Sequence, residues 1–212
     1  GEKSMREAVS LFQRGAIYAR RGETERSREF FQRAAAALPG FPEAHLGLGH
    51  IALREKHYTE ALEHYLQARD GFRNLGDKLY DLRVERYRDA REEVDRLRDV
   101  MTELDNPRLK ILNRDMEKIR LEGEIRKLEL VRLPTPGEGL EPPGEVFFYI
   151  GNAQFHLGML NEAVGAWEEC AKKAPDFPLV HNNLAIGYLK LGRVDAAQLS
   201  VDRAEKLGVA VH

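Results

Sequence analysis

The side chains best suited to chemistry are seven histidines, one cysteine and many acids, and their spacing is not typical of an active site or a metal site. His50, His57 and His64 are spaced by seven, but a predicted helix break at Lys56-His57 places them on different elements. No carboxylate shares a ligand-like spacing with them on one helix, as an H-E-x-x-H motif would require. Cys170 has no evident general base, which favours a packed thiol over a nucleophile. We therefore predict no enzyme activity, no metal and no cofactor.

The composition excludes several further classes of protein. The 212 residues carry 33 Lys and Arg against 35 Asp and Glu, so the chain lacks the basic excess that nucleic-acid binding needs. No apolar run approaches the ~20 residues of a membrane helix, and residues 1–6 contain no signal-peptide hydrophobic stretch. We expect no nucleic-acid binding and no membrane insertion. The compartment stays open, with the cytoplasm slightly favoured.

Small residues recur with a period of 34 in four windows of the chain. The windows begin at Ala8, Pro42, Gly144 and Pro178. Positions 8, 20 and 27 are small: Gly15, Ser27, Ala34; Gly49, Ala61, Ala68; Gly151, Ala163, Ala171; Ala185, Ala197, Ala204. Position 24 is bulky or apolar: Phe31, Tyr65, Trp167, Val201. Small side chains let two helix backbones approach, and a large side chain fills the space beside the crossing. Each window therefore predicts a pair of helices with a break near its middle.

These positions resemble those of the tetratricopeptide repeat family, whose period is 34. The resemblance implies an all-α, helix-turn-helix solenoid with two repeats in residues 1–75 and two in residues 144–212. The repeats are expected at 8–41, 42–75, 144–177 and 178–211. Arg14 stands where the family prefers Leu, so we expect the first helix to be a terminal, partly exposed one. The resemblance further implies a non-enzymatic scaffold or adaptor that binds another protein or peptide.

The middle of the chain does not continue the repeat. In the same register, Arg83 and Asp95 would occupy small positions and bury charges without partners. Residues 76–132 instead carry mixed charges with apolar residues three and four apart, which is typical of long helices. Residues 133–143 are rich in Pro and Gly and are predicted to form a linker.

Local signals predict two long helices in residues 76–132. Gly76 is expected to end the preceding helix, and Asp77 to cap the next one. Asp105-Asn106-Pro107 predicts a second helix start. We favour an antiparallel helical hairpin, which returns the chain so that the third repeat stacks near the second. The alternatives are one kinked continuous helix, or coiled-coil pairing of residues 77–132 between two chains as a homodimer.

The resemblance also implies a concave groove. In this family, ligand contacts usually come from positions 2, 5, 6, 9, 12 and 13 of the first helix in each repeat. The corresponding candidates are Glu43, Leu46, His50 and Arg54; Phe148, Tyr149, Asn152, Phe155 and His156; and Asn182, Asn183, Ile186 and Lys190. Aromatic rings provide burial and Asn side chains bond a peptide backbone in both directions, so the set suits an extended peptide or a helix. The alternative is that Phe148 and Phe155 pack against the long-helix arm, residues 76–132, or against a neighbouring repeat.

Overall fold

A computed structural model describes residues 2–106, 113–135 and 141–208, and every regular element in these ranges is a helix. The helices are α1 Glu2–Arg20, α2 Thr24–Ala37, α3 Pro42–Arg54, α4 Tyr58–Leu104, α5 Arg114–Glu129, α6 Gly144–His156, α7 Leu160–Lys173, α8 Pro178–Lys190 and α9 Val194–Lys206. The chain divides into two compact units, residues 1–73 with 141–212 and residues 74–140. The predicted all-helical fold is confirmed.

The helix pairs of the first unit cross where the period of 34 predicts. In three pairs, a Cβ built on the position-8 glycine would lie 2.5–2.6 Å from the position-24 ring: Gly15 and Phe31, Gly49 and Tyr65, Gly151 and Trp167. In the fourth pair, Ala185 and Ala197 are buried. One residue of the predicted pattern was wrong, because Cys170 rather than Ala171 occupies position 27 of the third repeat. Cys170 is fully buried there, while Ala171 is half-buried.

Each helix pair turns at position 15, where the backbone adopts a positive φ. Gly22, Gly158 and Gly192 have φ of 77°, 79° and 72° in three of the turns. Lys56 takes the same conformation in the second repeat, with φ of 65°. A residue with a Cβ is disfavoured in this conformation by about 1–2 kcal/mol, which makes Lys56 the strained turn of the four. The mid-window breaks predicted from the sequence are confirmed.

The second helix of the second repeat does not end at Gly76. Helix α4 continues from Tyr58 to Leu104, so the predicted stop at Gly76 and cap at Asp77 were wrong. Gly76 is buried and lacks the positive φ that ends helices at glycine. Glycine costs only about 1 kcal/mol relative to alanine inside a helix, and the good helix formers that follow outweigh that cost.

In the second unit, α5 packs antiparallel against the C-terminal part of α4. Their shared buried cluster consists of Val94, Leu97, Leu104, Leu121 and Ile125. Lys118 pairs with Asp105 near one end of this contact, and Arg98 pairs with Glu129 at 2.8 Å near the other. The two ion pairs therefore define opposite chain directions for the packed helices.

Two sequence predictions fall partly outside the described residues. Pro107, the predicted first residue of the second long helix, lies outside the described residues. The described part of that helix begins at Arg114. Within the predicted linker, residues 133–135 and 141–143 are not helical, and residues 136–140 are not described.

The second and third repeats stack on each other within the first unit, although residues 74–140 separate them in sequence. The Tyr65 and Tyr149 rings stack with centroids 5.5 Å apart, and the His50 ring meets Tyr149 at 4.4 Å. Tyr58 and His156 stack at 4.4 Å. These aromatic contacts join the two halves of the repeat array.

Candidate peptide-binding face

The first helices of the four repeats lie side by side and form one surface, which we name the first-helix face. Helices α1 and α3 line a common cleft, and α3 meets α6 through His50 and Tyr149. Helix α6 meets α8 through a 2.8 Å hydrogen bond from Asn183 to Asn152. The face carries two clefts, the α1/α3 cleft of about 490 Å³ and the α6/α8 cleft of about 300 Å³.

The α6/α8 cleft gathers six of the residues that the sequence analysis selected. Its lining consists of Phe148, Asn152, Phe155, His156, Trp167, Asn183 and Ile186. Only Trp167 was not a candidate, because it lies on the second helix of its repeat. Helices α6, α7 and α8 therefore build this cleft together.

Two amides form the polar part of the α6/α8 cleft. The Oδ1 atom of Asn152 accepts hydrogen bonds from Trp167 Nε1 at 3.1 Å and from Asn183 Nδ2 at 2.8 Å. These bonds fix both amide orientations. Within the part of the chain that the structure describes, Asn152 Nδ2 and Asn183 Oδ1 have no hydrogen-bond partner. The pair therefore offers one donor group and one acceptor, the complement of a peptide group.

The aromatic residues of this cleft differ in how much surface they offer. Phe148 is only 7% exposed and its ring lies 5.0 Å from that of Phe177, so its main role is packing. Phe155 is half-buried, with its ring 5.6 Å from Trp167 and Lys190 Nζ 5.8 Å from its centroid. Phe155 is therefore the aromatic side chain that combines packing with an accessible edge.

The α1/α3 cleft includes four candidates and several residues that the sequence analysis missed. Glu43, Leu46, His50 and Arg54 line it from α3. The missed lining residues are Phe12, Ala16, Ala19, Arg20, Phe31, Gly47 and Ile51. Those on α1 belong to the first repeat, which contributed no candidate to the predicted groove.

Small side chains open the α1/α3 cleft. Ala16 and Ala19 occupy positions 9 and 12 of the first repeat, and Gly47 occupies position 6 of the second. A Cβ on Gly47 would lie 2.5 Å from the ring of Phe31, which forms the buried floor. The sequence did contain a signal for this cleft. It was the pair of alanines in the first repeat followed by Gly47 in the second repeat.

His50 joins this cleft to the stacked repeats. Its Nδ1 lies 2.9 Å from the hydroxyl of Tyr65. Burial raises the pKa of Tyr65, so the phenol keeps its proton. Burial, and secondarily the charge of Arg54, lowers the pKa of His50. At neutral pH, His50 and Tyr65 are therefore both uncharged partners of one hydrogen bond.

Three candidates lie outside both clefts. Tyr149 is half-buried against His50 and Tyr65, and burial raises its pKa. Lys190 reaches over Phe155 without lining the cleft. The Oδ1 of Asn182 is buried and has no hydrogen-bond partner among the described residues.

Other reactive side chains do not assemble a site in the described ranges. No group of three or more His, Cys, Asp or Glu side chains is placed to hold a metal ion there. His45 and His64 approach with their Nδ1 atoms 3.3 Å apart. Burial raises the pKa of the Cys170 thiol to about 11, which disfavours the thiolate. In residues 2–106, 113–135 and 141–208, no helix is both long and apolar enough to cross a membrane.

Family models of the tetratricopeptide repeat match residues 12–74 and residues 145–176. No curated protein matches the chain. Among solved structures, the chain is similar to a point mutant of MamA at 15% identity, covering 96% of this chain and 98% of that one, with a TM-score of 0.45. PilW, a type IV pilus biogenesis factor, has 16% identity, coverage of 97% and 79%, and a TM-score of 0.43. A thermophilic tetratricopeptide repeat protein of Thermus thermophilus has 17% identity, coverage of 95% and 91%, and a TM-score of 0.37. Similarities this low carry no argument about function.

The two family matches and the helix-pair crossings identify the class as helical-repeat proteins. The chain contains tetratricopeptide repeats in residues 12–74 and 145–176. Members of this family generally act as non-enzymatic scaffolds for protein–protein interaction, and the chain has the architecture of such a scaffold.

Proposed function

We propose that the first-helix face binds a peptide segment of a partner protein, and that the chain acts as an adaptor without catalysis of its own. The observation that carries this proposal is the oriented amide pair Asn152–Asn183 in the α6/α8 cleft. Their internal hydrogen bonds leave a donor and an acceptor among apolar walls. An extended backbone satisfies both groups while its side chains are buried against Phe155 and Ile186.

Asn183→Ala tests this proposal with little disturbance of the fold. The variant removes the free acceptor, and Trp167 keeps its hydrogen bond to Asn152. Peptides would be selected from a random phage-displayed library on the purified full chain, then synthesised with a fluorescent label. We expect at least fivefold weaker binding by fluorescence anisotropy, because one backbone hydrogen bond is lost. Asn161→Ala, an exposed asparagine on α7 outside both clefts, is the matched control and should bind as the wild type does.

Two outcomes would contradict the proposal. One is equal affinity of Asn183→Ala and wild type for every selected peptide. The other is a selection that yields no peptide with saturable binding to the wild-type chain.

Self-assembly through the second unit is the second candidate function. Helix α5 buries Leu121 and Ile125 against α4, yet exposes Met116 and Ile119 at 68% and 61% on its opposite side, and Leu130, directly after the helix, is 83% exposed. These three exposed apolar side chains have no packing partner within the described part of this unit. They favour pairing of the long helices between two chains.

Sedimentation velocity over a hundredfold concentration range tests self-assembly. We expect a dimer that the Met116→Glu/Ile119→Glu variant dissociates. Leu199→Glu, the same kind of change at an exposed position on α9, should leave the dimer intact. A wild-type monomer at all concentrations would exclude this candidate.

A further inference from the structure

The α1/α3 cleft has opposite charges at its two ends. Glu43 lies in the first turn of α3, while Arg54 ends α3 and Arg20 ends α1. All three line the cleft. At 1.5 Å per residue, the two ends of the α3 wall are about 16 Å apart. A ligand lying along the cleft therefore meets a carboxylate at one end and guanidinium groups at the other.

The carboxylate end lacks a hydrogen-bond donor. The Oε2 atom of Glu43 is buried and has no partner within the described residues. Glu43 as a whole is half-buried, and a ligand that supplies a donor to its carboxylate pairs an acceptor that the described residues leave unpaired. An amide, ammonium or guanidinium group of a peptide provides such a donor.

The guanidinium end consists of two exposed arginines. Neither Arg20 nor Arg54 forms an ion pair with the acidic residues that the structure describes. Arginine binds carboxylates through paired, charge-assisted hydrogen bonds. Cations at helix C-termini also complement the helix dipole, and that role leaves their donors free for a ligand.

The wall between the two ends is apolar. Phe12, Phe31, Leu46 and Ile51 line it, and Ala16, Ala19 and Gly47 leave room above them. This part of the cleft suits a bulky apolar side chain rather than a backbone alone.

We propose that the α1/α3 cleft holds a partner segment in which a bulky apolar residue is flanked by an acidic residue on one side and by a hydrogen-bond donor on the other. The apolar side chain lies over Phe31, the acidic group reaches Arg20 and Arg54, and the donor reaches Glu43. This inference rests on the proposed function, since it specifies the partner of one part of the first-helix face.

Four labelled synthetic peptides with one apolar centre test the charge pattern on the full chain. Their flanks are Lys and Glu, Glu and Glu, Gln and Gln, or Lys and Lys. By fluorescence anisotropy, we expect the Lys/Glu peptide to bind most tightly, with at least tenfold weaker binding of the Lys/Lys peptide. The Lys/Glu and Glu/Glu peptides should both bind more tightly than the neutral Gln/Gln peptide, because Arg20 and Arg54 dominate the exposed end of the cleft.

Charge reversal distinguishes recognition from a general loss of structure. Arg20→Glu/Arg54→Glu should weaken the Glu/Glu peptide at least tenfold and strengthen the Lys/Lys peptide, an outcome that an unfolded variant does not give. Arg14→Glu makes the same charge change at an exposed position of α1 outside the cleft and should preserve the wild-type order. Glu43→Gln should remove the advantage of the Lys/Glu peptide over the Glu/Glu peptide.

Three results would overturn the assignment. The first is affinity that ignores the flanking charges, and the second is an order of affinities that survives Arg20→Glu/Arg54→Glu. The third is a changed sedimentation coefficient of the unliganded double variant, which would show that a second copy of this chain covers the cleft. If library-selected peptides still respond to Asn183→Ala in any of these cases, the proposed function stands without this inference.

Discussion

The two clefts of the first-helix face lie at equivalent places between neighbouring first helices, yet they differ in volume and chemistry. Positions 9 and 12 are Ala16 and Ala19 in the cleft of about 490 Å³, and Asn152 and Phe155 in the cleft of about 300 Å³. The backbone scaffold determines where a cleft forms, because each first helix packs beside the next. Side-chain size at two positions then determines whether the cleft takes a bulky side chain or meets a peptide backbone.

Both clefts lie above the same type of helix crossing. Phe31 packs against Gly15 below one cleft, and Trp167 packs against Gly151 below the other. The α6/α8 cleft also uses this ring for hydrogen bonding, since the Trp167 indole donates to Asn152. In the α6/α8 cleft, the same residue, Trp167, therefore contributes both to the helix packing and to the hydrogen bonding of the cleft.

The largest expected effect is the loss of the crossing below the α6/α8 cleft. In Gly151→Ala, the new Cβ would lie 2.5 Å from Trp167 and 3.0 Å from the Ala163 carbonyl oxygen. We expect a loss of roughly 1–3 kcal/mol in the free energy of unfolding, measured by urea denaturation. Gly165→Ala, at an exposed helical position with open space around it, should instead gain about 0.5–1 kcal/mol. Equal effects of the two substitutions would contradict the repeat register.

Replacement of Asn152 should affect stability as well as binding. Asn152→Ala removes the acceptor of two hydrogen bonds, leaving the indole of Trp167 with its longer 3.3 Å contact to the Phe148 carbonyl. We expect a loss of about 1–2 kcal/mol, and a smaller loss for Asn183→Ala. In a double-mutant cycle, the two losses should not add, since the residues share one hydrogen bond. Additive losses would show that the amide pair is not formed.

Ala19→Phe gives the α1/α3 cleft the aromatic residue that the α6/α8 cleft has at position 12. The new ring occupies the α1/α3 cleft as Phe155 occupies the α6/α8 cleft. We expect the Lys/Glu peptide to bind at least tenfold more weakly, about 1.4 kcal/mol, while the urea midpoint stays close to that of the wild type. Ala36→Phe, at an exposed position of α2 outside both clefts, should leave the affinity unchanged. Unchanged affinity in Ala19→Phe would show that the peptide binds elsewhere.

Acid should destabilise the α3 side of the face through two half-buried histidines. Burial is the main cause of the lowered pKa of both His50 and His45. Between the lowered pKa values and the ordinary value of 6.5, the unfolded chain binds more protons than the folded protein does. This contribution to stability is present above pH 6.5 and is lost as the pH falls through the folded pKa values. In His50→Gln, whose amide can accept from Tyr65, the urea midpoint should fall less than in the wild type when the pH is lowered from about 7.5 to about 5.5. An identical pH dependence in wild type and variant would contradict this assignment.

The features that the sequence predicted correctly depend on residue size at a fixed period. The crossings at Gly15 and Gly151 could be predicted because a small residue and a large one recur together, and no distant contact is needed to interpret them. The helix stop at Gly76 was wrong because local signals do not weigh one glycine against the helix formers that follow it.

The missed parts of the site depend on contacts between repeats. The α1/α3 cleft forms because small side chains of one repeat line it together with residues of the next repeat. Ala19 therefore carries no signal when its own helix is considered alone. The hydrogen bonds of Asn152 connect α6 with both α7 and α8. Its selection by repeat position did not predict that it also supports Trp167.

The stacking of Tyr65 on Tyr149 has a consequence for how the chain folds. Like the contacts of His50 with Tyr149 and of Tyr58 with His156, it joins residues that are separated in sequence by residues 74–140. Much of the intervening segment is helical, in α4 and α5, so it does not behave as a flexible loop. We therefore expect Tyr65 and Tyr149 to meet later in folding than the helices within each repeat, because contacts between residues far apart in sequence form more slowly than local ones.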